Sequence, residues 1–292
     1  MHPVAIGLSR KPARWSVHAR HGATLVLLVG LSAIVLLPVG WILTVALKPD
    51  HVPVFTIPPQ WFPTTYFAFD NFIRTLTLPE RPFGLYTLNT LTIFAGNLIG
   101  TLLSCSLAGY AFARMRFRGR DRLFRLLILT MLIPWQALIV PQFLIFHTIG
   151  WYGTYLPLIV PSFFGSAFFI FLIRQYMRTI PRELDEAARI DGAGHLQIFW
   201  WVILPLSKPV LAVCAVFTFL GSWNDLLGPL IYLDRNSQFT IALGLANSVT
   251  RSGTDWNLVM AANLIMMVPP IILYFVLQRR LIGGIASVGL KG

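Results

Sequence analysis

The residues best placed to do chemistry lie in one polar segment, Ile180–Pro209, which reads IPRELDEAARIDGAGHLQIFWWVILPLSKP. Pro181 suits the first turn of a helix, where its missing N–H costs nothing. Glu183, Asp185 and Glu186 then fall near the positive end of the helix dipole. Leu184, Ala187 and Ala188 share a face by helical spacing, and the two alanines let a partner approach closely. Gly192 suits a left-handed stop. The chain restarts at His195–Trp201 with an apolar face, and Pro205 and Pro209 punctuate the entry to the next apolar run. The chemistry this offers is ion pairing and docking rather than catalysis. An amphipathic helix lying on the membrane is the plain alternative, but such helices are usually basic, and anionic lipid would repel this acidic one. A basic protein partner fits better.

Catalytic patterns are missing elsewhere too. No HExxH, no GxSxG and no close Cys/His pair occurs, the six histidines are scattered, and His195 fits a surface role better than a ligand. No phosphate-binding GxxxxGK[ST] is present, because none of Lys11, Lys48, Lys208 and Lys291 follows a glycine. An intramembrane enzyme would need a catalytic group at membrane depth, and these patterns supply none.

The elements that must position this segment are membrane spans. The 292 residues are 56% hydrophobic and 12% charged, against about 25% charged in soluble domains. Apolar runs predict six spans, at roughly 23–47, 88–112, 123–146, 154–173, 209–233 and 257–277. The first follows Arg10, Lys11, Arg14 and Arg20 and reads as an uncleaved span. The 23 Lys and Arg residues cluster in alternate loops, which places tail 1–22, the polar loop 179–208 and tail 279–292 together in the cytoplasm. The net charge of +12 thus belongs to membrane topology and not to nucleic acid. Cys105 and Cys214 sit in apolar runs as small hydrophobes. The external loop 48–87 is rich in proline and aromatics. Its Trp61, Phe62, Tyr66 and Phe67 suit the membrane interface, and packing on its own protein and contact with an external partner remain open.

Polar groups inside spans usually face a cavity or another helix. The candidates for a solute path are Gln136 and Gln142, Ser222, Asn224 and Asp225, and Asn263. For Asp225 the alternatives are a gate or solute contact and a helix-capping or inter-helix hydrogen bond beside Trp223 and Asn224, and the hydrogen bond is favoured. Gly96, Gly100, Ser104 and Ala108 form a small-residue ridge for close helix packing. Pro134 and Pro141 can break the third span and Pro269-Pro270 the sixth.

The polar loop resembles the EAA loop of ABC-importer permeases. That pattern is EAA, three residues, Gly, nine residues, then I-x-LP. Here it is Glu186-Ala187-Ala188, Gly192 and Val202-Ile203-Leu204-Pro205, with Val202 as the one departure. LAGYAFARMRFRGR (Leu107–Arg120), FLGSWNDLLGPLIYL (Phe219–Leu233), the span from Trp256 to Gln278 and the terminal VGLKG (Val288–Gly292) extend the likeness to the carbohydrate-uptake branch, nearest the maltose-permease-like subunit. The resemblance implies an all-α membrane protein with the type I ABC importer permease fold, six transmembrane helices and both termini cytoplasmic. It makes the EAA loop a coupling helix on a separate ATPase, with Glu186, Ala187, Ala188, Asp191, Gly192, Leu204 and Pro205 as the coupling residues. Glu186 would pair with a basic group there, and Leu290-Lys291-Gly292 would reach the same subunit. The chain itself would bind no cofactor, since ATP and Mg belong to the ATPase. The implied partners are a second homologous permease, two ATPase copies and an extracytoplasmic solute-binding protein, in the cytoplasmic (inner) membrane of a bacterium. A sugar or oligosaccharide is the implied cargo. Another solute, such as glycerol phosphate or a polyamine, is the alternative.

Overall fold

The computed structural model describes residues 14–289 apart from 51, 55, 59, 63–65 and 250–253, with side chains from 22 to 278. Leu290-Lys291-Gly292, and the charges of Arg10, Lys11, Arg251 and Lys291, lie outside the described residues. The α-helices longer than four residues are α1 (Arg14–Ala46), α2 (Asp70–Thr77), α3 (Phe83–Arg114), α4 (Arg120–Thr130), α5 (Ile139–Thr148), α6 (Ala167–Met177), α7 (Glu183–Ile190), α8 (Lys208–Trp223), α9 (Leu227–Tyr232), α10 (Ile241–Asn247) and α11 (Trp256–Gly289). No strand occurs among the described residues. Apolar helices that satisfy their own backbone are what a bilayer demands. Gly22–Ala46, Phe83–Arg114, Leu156–Met177 and Trp256–Gln278 are each long and apolar enough to cross one. Arg120–Thr130 with Trp135–Thr148, bent by 88°, and His195–Leu206 with Lys208–Asn224, bent by 76°, bring the number to six if each pair is one span.

Helix α3 is the axis of the bundle, packed by α6, α8 and the short Val160–Phe164 turn. The small-residue ridge makes this possible. A Cβ on Gly100 would stand 2.1 Å from Ser162 Oγ, and one on Gly96 would stand 2.6 Å from Ile159. Ser104 Oγ donates to Ser162 O at 3.0 Å. Each end of α3 carries its own core. Phe83, Tyr86, Phe219, Trp223, Ile241 and Ala262 gather at one end. At the other, Cys105, Tyr110, Ile173, Met177, Phe199 and Ile203 belong to a second cluster beneath the polar loop.

Two proline expectations resolve differently. The third span breaks at Pro134, which is extended and opens the Trp135–Leu138 turn. Pro141 lies in the first turn of α5 and breaks nothing, because that N–H has no helical acceptor anyway. The break expected at Pro269-Pro270 does not occur, and α11 runs through both. Pro270 lacks the N–H that would reach Met266 O. Trp223 Nε1 supplies it instead, at 2.9 Å from α8.

The loop after α1 is strapped to its own protein at its base. Asn71 Nδ2 donates to Ala46 O and Lys48 O at 2.9 and 3.0 Å, and Asn257 Nδ2 reaches Lys48 O at 2.9 Å. Trp61, Phe62, Tyr66 and Phe67 remain exposed.

Candidate functional site

The polar loop folds as two limbs around a glycine. Helix α7 ends in a Schellman stop: Gly192 stands at φ +84°, its N–H donates to Arg189 O at 3.0 Å, and Ala193 N–H donates to Ala188 O at 2.9 Å. Asp191 N–H closes on Ala187 O at 3.1 Å. The second limb starts at His195, where Gly194 N–H is capped by Gln197 Oε1 at 2.8 Å. It then widens into a π-helical turn, Ile198–Ile203, in which Leu204 N–H donates to Phe199 O. This register sits just ahead of Pro205, which has no N–H to return to Trp201 O. It turns Phe199 and Ile203 into the core and leaves Trp201 81% exposed.

A Cβ at Gly192 would touch nothing within 4 Å, so the glycine is required by conformation alone. Gly192→Val is expected to cost about 1–2 kcal/mol through the left-handed backbone. Gly192→Asn, a residue that tolerates this region, is expected to cost much less. Thermal midpoints of the two variants in the purified complex check the order.

One guanidinium holds the loop to the bundle. Arg114, the last residue of α3, pairs with Asp185 of α7 at 3.2 Å, with the two side chains only 2% and 10% exposed. Its Nη2 also donates to Met177 O at 2.7 Å and Ile180 O at 2.6 Å, the carbonyls that end α6 and begin the loop. Three elements therefore meet at Arg114. Arg114 Nε and Asp185 Oδ1 are buried without a hydrogen-bond partner among the described residues. On the other limb, Tyr110 Oη donates to His195 O at 3.1 Å and its ring lies 5.2 Å from Phe199.

This anchoring sorts the sequence candidates. Asp185 faces inward, not outward with the other carboxylates. Ala188 packs against the core, so the face expected from Leu184, Ala187 and Ala188 is split between inside and outside. Glu186 and Ala187 are exposed, as are Leu184 (40%) and Ile190 (87%). The outward face is thus mixed, with Glu183, Glu186 and Arg189 exposed beside Leu184, Ala187 and Ile190. Beside it opens a cleft of about 380 Å³ lined by Arg116, Arg182, Glu186, Arg189 and His195 among others. Leu204 is half-buried against the core and Pro205 is exposed.

The solute-path candidates do not form one cluster. Gln136 and Gln142 are exposed on the far side of the third-span break. Ser222 Oγ accepts from Asn97 Nδ2 at 3.1 Å. Asn224 Nδ2 donates to Leu220 O and Asn263 Nδ2 to Val259 O, both at 2.9 Å and both within their own helices. Asp225 Oδ1 accepts from Gly228 N–H at 3.1 Å, at the start of α9. Only Asn224 and Asp225 adjoin, at the break between α8 and α9.

Residues 87–286 match the family described as "Binding-protein-dependent transport system inner membrane component". The chain belongs to this family. Among curated relatives it is 38% identical over 206 residues to the osmoprotective compounds uptake permease protein GgtD of Synechocystis sp., covering 70% of this chain and 69% of that one. It is 35% identical over 234 residues to the arabinooligosaccharides transport system permease protein AraQ of Halalkalibacterium halodurans, covering 79% and 82%. It is 36% identical over 210 residues to the sn-glycerol-3-phosphate transport system permease protein UgpE of Yersinia pestis bv. Antiqua, covering 71% and 74%. The fold matches a chain from a bacterial ABC transporter involved in import of the acidic polysaccharide alginate, with TM-score 0.79, 24% identity, and 93% and 99% of the two chains covered. The protein is a transmembrane permease component of the inner membrane, with the importer-permease fold.

Proposed function

We propose that this permease carries a sugar or oligosaccharide inward by alternating access, driven by a separate ATPase seated on the polar loop. The observation that carries this reading is the division of labour within α7. Asp185 and Ala188 bind the helix to the bundle, while Glu186, Ala187 and Ile190 stay exposed. A helix fixed on one face and offering charged and apolar groups on the other is suited to pass a partner's movement into α3 and α6 through Arg114. The family's dependence on a binding protein supports an extracytoplasmic partner that delivers the solute, and the charge distribution supports cytoplasmic termini. The apolar stretch of α1 is exposed along most of its length, which suits lipid and a second permease. ATP and Mg would be held by the ATPase.

The test is solute-stimulated ATP turnover of the reconstituted complex carrying Glu186→Ala. Truncating one partner of a largely desolvated charge pair costs about 2–5 kcal/mol. Stimulation and uptake are expected to collapse while the complex still assembles, and unchanged turnover would refute the coupling role. A second reading, glycerol phosphate or another small polar solute as cargo, is favoured by the likeness to UgpE and GgtD. Mass-spectrometric identification of solute retained by the purified complex separates the two.

A further inference from the structure

We propose that the loop between α3 and α4 holds the phosphodiester headgroup of an anionic phospholipid in the cytoplasmic leaflet. The inference rests on the orientation proposed above. A cleft of about 600 Å³ opens there, lined by Arg116, Arg120, Arg122, Arg125 and Arg182, with Asp121 as its one carboxylate. That carboxylate is occupied, since Arg120 Nε donates to Asp121 Oδ1 at 3.0 Å. Arg120 also donates to Met115 O at 3.3 Å, and Arg125 Nε to Asp121 O at 3.4 Å. Arg116, Arg122 and Arg182 form no ion pair among the described residues. The cleft thus has an excess of cationic forks suited to an oxyanion.

What selects a lipid is the surface that continues from it. Arg122, Arg125, Leu126 and Leu129 share one face of α4 by helical spacing. Leu126 and Leu129 are 59% and 56% exposed, and neighbouring Leu123 is 51% exposed. At about 1.5 Å per residue, Leu129 lies roughly 10 Å along the helix from Arg122. Cationic groups sit at headgroup depth and bare leucines at acyl depth, on one continuous strip. A free phosphate uses only the first half of it, and an ATPase would meet apolar side chains pointing into the membrane.

The intact reconstituted transporter is labelled with photoreactive phosphatidylglycerol or, separately, photoreactive phosphatidylcholine, and the adducts are mapped to peptides of this chain. Phosphatidylglycerol is expected to label the Arg120–Thr130 peptide in preference to phosphatidylcholine. Arg122→Gln and Arg125→Gln should each reduce that preference roughly fivefold, and Arg235→Gln, an exposed arginine elsewhere, should leave it unchanged. Equal labelling by both lipids, or a preference that survives the double variant, overturns the proposal. Displacement by excess inorganic phosphate overturns it in favour of a soluble anion. Loss of the co-purifying ATPase in the double variant with lipid labelling intact overturns it in favour of a protein interface. The readout is lipid selectivity and not uptake, so its failure leaves the importer reading standing, and the Glu186→Ala result leaves this measurement untouched.

Discussion

Asp185→Asn is expected to cost about 3–5 kcal/mol, because it leaves the Arg114 guanidinium buried without its counter-charge. Arg114 is only 2% exposed at its side chain, so solvent screens the stranded cation poorly. The carbonyls of Met177 and Ile180 remain as acceptors, but neither carries a formal charge. Adding Arg114→Met to the same chain removes the stranded cation but also takes the donors from Met177 O and Ile180 O and leaves a neutral amide at position 185, so only part of the stability should return. Coupling should not return with it. The pair is the point at which α7 meets the ends of α3 and α6, the route proposed above for movement of the loop. Thermal unfolding of the purified complex, beside solute-stimulated ATP turnover, measures both effects. A single Asp185→Asn variant with an unchanged midpoint, or a double variant with full stimulation, would remove Arg114–Asp185 from the coupling path.

Local chemistry in this chain was legible in the sequence, and remote contacts were not. Gly192 announces its stop through its position after a short acidic helix, and the structure places it at φ +84°. Pro134 follows an apolar helix, and the chain leaves that helix over the turn just before it. The ridge Gly96, Gly100, Ser104 and Ala108 is visible from its spacing alone. Asp185 is different. One residue before Glu186, it reads as a second dipole-facing carboxylate, and its burial depends on Arg114, 71 residues earlier. Arg114 itself reads as one more cation in a basic loop. The only local sign was that Asp185 and Ala188 share a helix face, so one of them facing the core drew in the other. The solute path was the least legible, because a polar side chain inside a span satisfies itself on its own helix as readily as it lines a cavity. Asn224 and Asn263 bond back to the turn before them, and Asp225 accepts from the start of the next helix.

Trp223 shows the same remoteness from the opposite direction, and it yields the other large effect. The residue is 1% exposed, and Trp223→Ala is expected to cost about 3–5 kcal/mol from the lost burial and the cavity together. Trp223→Phe isolates the hydrogen bond. It keeps most of the ring packing against Phe219, whose centroid lies 5.2 Å away, and removes the Nε1–H that fills Met266 O. That buried acceptor, stranded because Pro270 has no N–H, should cost about 1–3 kcal/mol. Pro270→Ala restores a backbone donor in register with Met266 O, so in its presence the penalty of Trp223→Phe should largely vanish. A double-mutant cycle on the thermal midpoint of the complex reads this coupling directly. Additive costs would mean that the indole holds α8 by packing only, and that α11 passes through its two prolines unaided. A coupled pair would mean that Trp223 repairs the helix it touches. It would also explain why a bulky donor stands immediately before Asn224 and Asp225, where α8 ends and the chain turns: the break in one helix is held in place by the mended continuity of the other.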